Sequence, residues 1–230
     1  MNYPKHNAVK AGLVVLGGNK TLVPQHIAIF GGSFDPPHLG HQALVTEALN
    51  QLNIDELWLM PVGLPIHRQL SGKASPEQRM GWLKQMFTGE KRVKVMDWEI
   101  KNQKPTPAIG TLRRFHAEYP KLTPTWLMGM DSFLDLTNWV DYPEHQSLCN
   151  LAVFQRVGIK SDVITSAWLH VELLAWQTHL PQHPGHIVML HSDLPNISAT
   201  RFRQYPQEHK SFLAQSTCNA ILACYDSTVR

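Results

Sequence analysis

His26-Ile27-Ala28-Ile29-Phe30-Gly31-Gly32-Ser33-Phe34-Asp35-Pro36-Pro37-His38-Leu39-Gly40-His41 is the stretch on which the reading of this chain turns. Ile27 to Phe30 is almost wholly apolar and bounded by turn residues, the pattern of a short parallel strand buried on both faces. Gly31 and Gly32 let the chain turn and approach a ligand with no Cβ in the way. Pro36 and Pro37 stiffen the loop, and Leu44, Val45, Ala48, Leu49 and Leu52 then recur at helical spacing. His38 and His41 therefore fall near a helix N-terminus. Unpaired amides and the helix dipole favour an anion there, by roughly 0.3–1 kcal/mol when exposed and up to about 2 when partly buried. In outline this is a phosphate site.

These residues resemble the HxGH signature of the nucleotidylyltransferase superfamily. In their Gly-Gly-Ser-Phe-Asp-Pro context they are most similar to the bacterial nicotinate or nicotinamide mononucleotide adenylyltransferases. Asn196-Ile197-Ser198-Ala199-Thr200-Arg201-Phe202-Arg203 resembles the ISxTxxR motif that this family uses on the triphosphate of ATP. Between the two, Trp126-Leu127-Met128-Gly129-Met130-Asp131-Ser132 resembles a strand followed by GxDS, with Trp139 after it. Pro65-Ile66-His67-Arg68 resembles a PPH(K/R) loop. The likeness spans about residues 26–225, and two motifs in the expected order are far more specific than either alone.

Composition agrees with that reading. The 230 residues suit one α/β domain, or one with a small appendage, and 43% hydrophobic residues suffice for a sizeable core. Lys+Arg 21 against Asp+Glu 18 gives +3, which suits a small anionic substrate and is too weak to argue for nucleic acid. Cys149, Cys218 and Cys224 have no metal spacing and leave an odd thiol, so a reduced cytoplasm is expected. Residues 1–25 read as a leader or an added strand. Their apolar run, Ala11 to Leu16, is shorter than a signal-peptide core of about 7–15 residues and far short of the roughly 20 needed to cross a membrane.

Along the rest of the chain, Leu57 to Met60 reads as a strand ending at Pro61. Ser75, Pro76 and Gln78 form a capping box with proline at the first helical position. Val93 to Trp98 reads as a weaker strand, and Thr106-Pro107 as a second cap-plus-proline start before the stripe Leu112, Phe115, His116 and Tyr119. Thr125 to Met128, Asn150 to Phe154 and His186 to Leu190 are further strands, with a short helix after Asp131. Val163 to Trp176 reads as a helix, inside a segment at about 159–185 read as a surface insertion in a 26–205 domain, with a lid or an oligomer contact as the alternatives. Residues 206–230 form a helical tail. Strands alternating with helices predict a doubly wound parallel sheet, and the resemblance makes it Rossmann-like with a small C-terminal helical part.

The chemistry implied by the resemblance is adenylyl transfer: the phosphate of a pyridine mononucleotide attacks the α-phosphorus of ATP and pyrophosphate leaves. The attacking group is already an anion, so the site must align it and offset charge rather than supply a nucleophile and a base. The residues expected to act on the phosphates are His38, His41 and Arg203. ATP is expected against Gly31, Gly32, Ser33, Phe34, Gly40, Gly129, Asp131, Ile197, Ser198 and Thr200. The mononucleotide is expected against His67, Arg68, Thr106, Trp139 and Arg156. Mg²⁺ would bridge ATP phosphates with no protein cage, and a homo-oligomer is compatible with the sequence.

Plainer roles stand beside these. The two histidines could be zinc ligands or structural, although no third and fourth ligand suggests itself. Asp131 is either a helix N-cap or a ribose contact, and Trp139 either core or a stacking platform. His67 and Arg68 are either solvated loop residues or mononucleotide contacts. Two departures from the family pattern concern the acceptor. Thr106-Pro107-Ala108 stands where Ser-Tyr-Thr is expected, and Gln155-Arg156-Val157-Gly158 replaces RRPG.

Overall fold

The computed structural model describes residues 24–66, 70, 73–102, 104–155, 168–170, 172–178, 181–191 and 197–226. Seven strands, β1 Ile27–Gly32, β2 Glu56–Pro61, β3 Val93–Val95, β4 Thr125–Gly129, β5 Asn150–Gln155, β6 Leu169–His170 and β7 His186–His191, form one sheet in the order β3-β2-β1-β4-β5-β7-β6. Every pairing is parallel. The order runs outward in both directions from the β1/β4 pair. In such doubly wound sheets, that reversal opens a crevice at the carboxyl ends of the strands.

Alternation along β1 explains the two-sided burial. Ala28 and Phe30 join one core cluster with Leu44, Val45, Ala48 and Leu49 of α1 (Leu39–Gln51). Ile27 and Ile29 face the other cluster, with Leu112 and Phe115 of α4 (Ala108–Glu118). A third cluster joins Trp82 of α2 (Pro76–Met86), Phe202 of α7 (Ala199–Gln204) and Ile221 and Tyr225 of α8 (Cys218–Tyr225). The carboxyl-terminal helices are thereby packed beside the β1 loop.

The capping box on α2 is as expected: Ser75 Oγ accepts from Gln78 N–H at 3.2 Å, and Gln78 Oε1 accepts from Ser75 N–H at 2.8 Å. Four local readings are corrected. The strand expected to reach Trp98 stops at Val95, and Trp98 opens a short helix, α3 (Trp98–Lys101), with its ring edge-on to Trp58 at 5.5 Å. Pro107 itself occupies the N-cap of α4, while the Thr106 hydroxyl is engaged by Asn102 and the Lys104 carbonyl. Gly129 is the N-cap of α5 (Met130–Leu134), which puts Asp131 in its first turn instead of at the cap.

The described part of the helix expected over Val163 to Trp176 is instead strand β6 followed by α6 (Leu173–Thr178). Trp168 and Trp176, 3% and 0% exposed, belong to the two main core clusters, so this part of the segment is integral to the sheet rather than an insertion on its surface.

Candidate active site

The turn after β1 delivers two imidazoles to the head of α1. His38 is the N-cap residue in extended backbone conformation, and its N–H donates to His41 Nδ1 at 3.1 Å. That bond makes Nδ1 an acceptor, so a neutral His41 carries its proton on Nε2. The rings stack at 3.7 Å and 25°, and Phe34 meets the His41 ring at 4.9 Å. Gly40 permits this packing. A Cβ there would stand 3.0 Å from His38 Nδ1 and 3.6 Å from the Ile197 Cβ. Gly32 is similarly crowded by the Phe34 ring at 3.0 Å, and Phe34 itself has φ of 46° and no exposed surface.

The segment after β7 closes on the same turn. Arg203 Nη1 donates to the Asp35 carbonyl at 2.6 Å, across 168 positions of sequence, and Nη2 reaches Thr200 Oγ1 at 3.1 Å. Ser198 caps α7, accepting from Arg201 N–H. Asp35 is buried, and its Oδ1 accepts from the Tyr225 hydroxyl of α8. Arg79 of α2, wholly buried, donates to the Ser33 carbonyl and to the Val62 carbonyl at 2.7 Å. Histidines, serine, threonine and arginine thus gather around one loop.

Burial dominates the electrostatics of the imidazoles. It lowers His38 from the ordinary 6.5 to about 4, opposed by a backbone hydrogen bond. His41 is held well below 6.5 by burial and then by its neighbour His38. An unperturbed histidine would be roughly a quarter protonated at pH 7; in the free protein these two are neutral instead. A bound phosphate would pull both back toward the charged form.

A cleft of about 430 Å³ opens beyond the carboxyl ends of β1 and β4, at the reversal of strand order. Gly31, Gly32, Ser33, Gly129, Thr106 and Trp139 all line it. Trp139 lines the cleft and packs edge-on to Trp126 at 6.5 Å and to His145 at 5.8 Å. Asp131 is exposed and outside the lining, its Oδ1 2.7 Å from where a Gly129 Cβ would be. His38, His41, Ile197, Ser198, Thr200 and Arg203 also lie outside the lining and form the separate group around the β1–α1 turn. His67, Arg68 and Arg156 lie outside the described residues.

Sequence reasoning missed three polar groups here. Arg79 sits inside α2, where an arginine ordinarily reads as solvated surface. Glu99 and His145 line the cleft at 4% and 2% exposure. Glu99 Oε1 accepts from the Thr111 hydroxyl at 2.7 Å, while Oε2 and both His145 ring nitrogens have no hydrogen-bond partner among the described residues. Burial pushes the Glu99 carboxyl up to about 7. No local pattern announces Glu99, because its seat depends on α3 replacing the end of a strand.

Among the described residues, no group of three or more His, Cys, Asp and Glu could hold a metal ion, and no helix is long and apolar enough to cross a membrane. Histidine, serine, threonine and arginine side chains thus surround the β1–α1 turn beside a cleft lined by tryptophan and glycine; side chains of these kinds can bind phosphate, and such a cleft can take a flat ring.

The chain matches the cytidylyltransferase-like family over residues 29–205. It is 32% identical over 203 residues to a protein of Shewanella frigidimarina named "probable nicotinate-nucleotide adenylyltransferase", covering 85% of this chain and 96% of the relative. A protein of the same name from Idiomarina loihiensis is 32% identical over 191 residues, covering 81% and 90%. Among solved structures, the fold is similar to Plasmodium falciparum nicotinic acid mononucleotide adenylyltransferase complexed with NaAD, with a TM-score of 0.68 at 18% identity over 88% of this chain and 97% of that one.

Proposed function

The chain belongs to the cytidylyltransferase-like family and, within it, to the nicotinate-nucleotide adenylyltransferases, and on that premise we propose that it transfers the adenylyl group of MgATP to nicotinate mononucleotide, releasing pyrophosphate. The acceptor phosphate oxygen forms a bond to the α-phosphorus as the bond to the bridging oxygen breaks, and the electron pair leaves with pyrophosphate. No covalent enzyme intermediate is needed. The observation that carries this reading is the Arg203 contact to the Asp35 carbonyl, which draws the ISxTxxR segment onto the HxGH turn.

In this mechanism, His41 donates from Nε2 to the α-phosphoryl oxygen, since its Nδ1 is occupied by the His38 amide. His38, stacked beside it, gains charge as the triphosphate arrives. Amides near Gly32 to Phe34 hold the nucleotide, and Arg203 with Ser198 and Thr200 offsets charge on the leaving phosphates. Asp131 and Gly129 border the nucleotide sugar, while Trp139 and Thr106 meet the pyridine ring, with His67, Arg68 and Arg156 as further contacts. Mg²⁺ would enter with ATP, held by its phosphates and by water, and would offset charge on the phosphoryl oxygens. The proposed location is cytoplasmic, supported by the substrates and by three cysteines that are unpaired.

ATP-dependent pyrophosphate release, measured across nicotinate mononucleotide, nicotinamide mononucleotide and other phosphate acceptors, tests the proposal. The expected result is turnover with a pyridine mononucleotide. Tight ATP binding without release for any acceptor would instead identify a nucleotide-binding regulatory module. The Thr106-Pro107-Ala108 sequence, which lacks the expected ring and hydroxyl, favours a different phosphate acceptor as the second reading.

A further inference from the structure

The acceptor cleft contains a carboxyl group that adenylyl transfer does not use. We propose that Glu99 sets the preference between acid and amide acceptors, the cleft taking a pyridine that bears a carboxylate only while Glu99 holds a proton. This deepens the adenylyl-transfer reading and rests on it.

The geometry supplies three reasons. Glu99 lines the cleft yet is 4% exposed, so water does little to screen its charge. Only one of its oxygens is engaged, by Thr111 of α4, and Oε2 is unpartnered among the described residues. The described charges around it are committed elsewhere. On its own helix Lys101 pairs with Asp97 at 2.8 Å. On α4, Arg113 binds Asp141 and Glu144, while Arg114 binds Glu118 at 2.8 Å and lies 4.3 Å over Trp98. Lys104 is exposed in the loop between α3 and α4. His145, facing the cleft beyond Trp139, is held neutral mainly by burial. Val62, Leu64, Pro65 and Ile66, in the loop whose Gly63 abuts the Glu99 backbone, line the cleft without charge.

Among the described residues the cleft offers a nicotinate carboxylate no cation; the mononucleotide contacts proposed at His67, Arg68 and Arg156 lie outside them, and the Glu99→Gln arm of the test separates the Glu99 titration from theirs. Beside an ionised Glu99 the carboxylate would place two like charges in a poorly screened space, whereas a protonated Glu99 removes the repulsion. A carboxamide carries no charge and meets either form. Burial that raises Glu99 to about 7 puts this exchange within the working pH range.

The test compares kcat/KM for nicotinate and nicotinamide mononucleotides from pH 6 to 8.5. The phosphate group common to both cancels in the ratio. In the wild type, the acid-to-amide ratio is expected to fall above pH 7, approaching tenfold per pH unit as one proton is linked to acid binding. In Glu99→Gln, checked for folding by its melting curve, the ratio is expected to be flat. A flat ratio in the wild type, or the same slope in Glu99→Gln, overturns the proposal. The wild-type profile decides by itself if the variant does not fold. Absence of pyrophosphate release with both nucleotides would overturn the adenylyl-transfer reading, and this inference with it.

Discussion

At the scale of single residues, the two nitrogens of His41 are separable. Nδ1 secures the first turn of α1 by accepting from His38 N–H, and Nε2 is the atom to which the proposed phosphate contact is assigned. His41→Asn keeps an acceptor near the Nδ1 position and removes the distal donor, while His41→Ala removes both. Both variants are expected to lower kcat by at least about tenfold, since each 1.36 kcal/mol of lost transition-state contact is one decade. The alanine variant is also expected to lose about 0.5–2 kcal/mol of stability, the usual cost of a helix cap, with asparagine closer to the wild type. Steady-state rates and denaturant curves on the same samples check this, and unchanged kcat in folded His41→Asn would remove the histidine from the mechanism. The placement of His41 at the head of α1 was legible because it is local: glycine, histidine and helix start are neighbours in sequence. Glu99 was not, since its environment is assembled from α3, α4 and the Val62–Ile66 wall.

At the scale of elements, the strands flanking the site were readable because they are short apolar runs buried on both faces. The misread elements lacked that uniformity. Val93–Val95 is an edge strand of alternating exposure, and nothing in Val-Met-Asp-Trp says that the tryptophan begins a helix. Likewise, Leu169–His170 is a strand of two exposed residues, held by pairing with β7. The role of α8 was also hidden, because its contact to the site is tertiary: Tyr225 hydroxyl to Asp35, whose carbonyl in turn holds Arg203. Tyr225→Phe removes one hydroxyl from this relay and leaves the core contacts of the ring. It is expected to cost about 1.5–3 kcal/mol, the range for a hydrogen bond to a charged group. It is also expected to raise KM for ATP as Arg203 loses its anchor. Loss of stability with an unchanged KM would confine α8 to packing.

At the scale of the whole molecule, the buried imidazoles and the buried carboxyl give stability opposite dependences on pH. His38 titrates near 4 in the folded chain and near 6.5 when unfolded, and His41 is displaced the same way. Between those values the unfolded state binds more protons, so stability falls as pH drops through this window. Glu99 titrates near 7 folded and near 4.5 unfolded, so its contribution is present below 4.5 and lost as pH rises through 7. Three lowered histidines, His38, His41 and His145, against one raised glutamate leave a net loss on acidification. Denaturant titrations from pH 4.5 to 7.5 are therefore expected to show a shallower acid loss in His38→Asn and a steeper one in Glu99→Gln. Saturating ATP should flatten the wild-type profile, because polyphosphate stabilises the imidazolium forms that burial disfavours. Identical profiles with and without ATP would mean that the imidazoles do not face the phosphates, and the phosphate role assigned to the head of α1 would fall even if the fold stood.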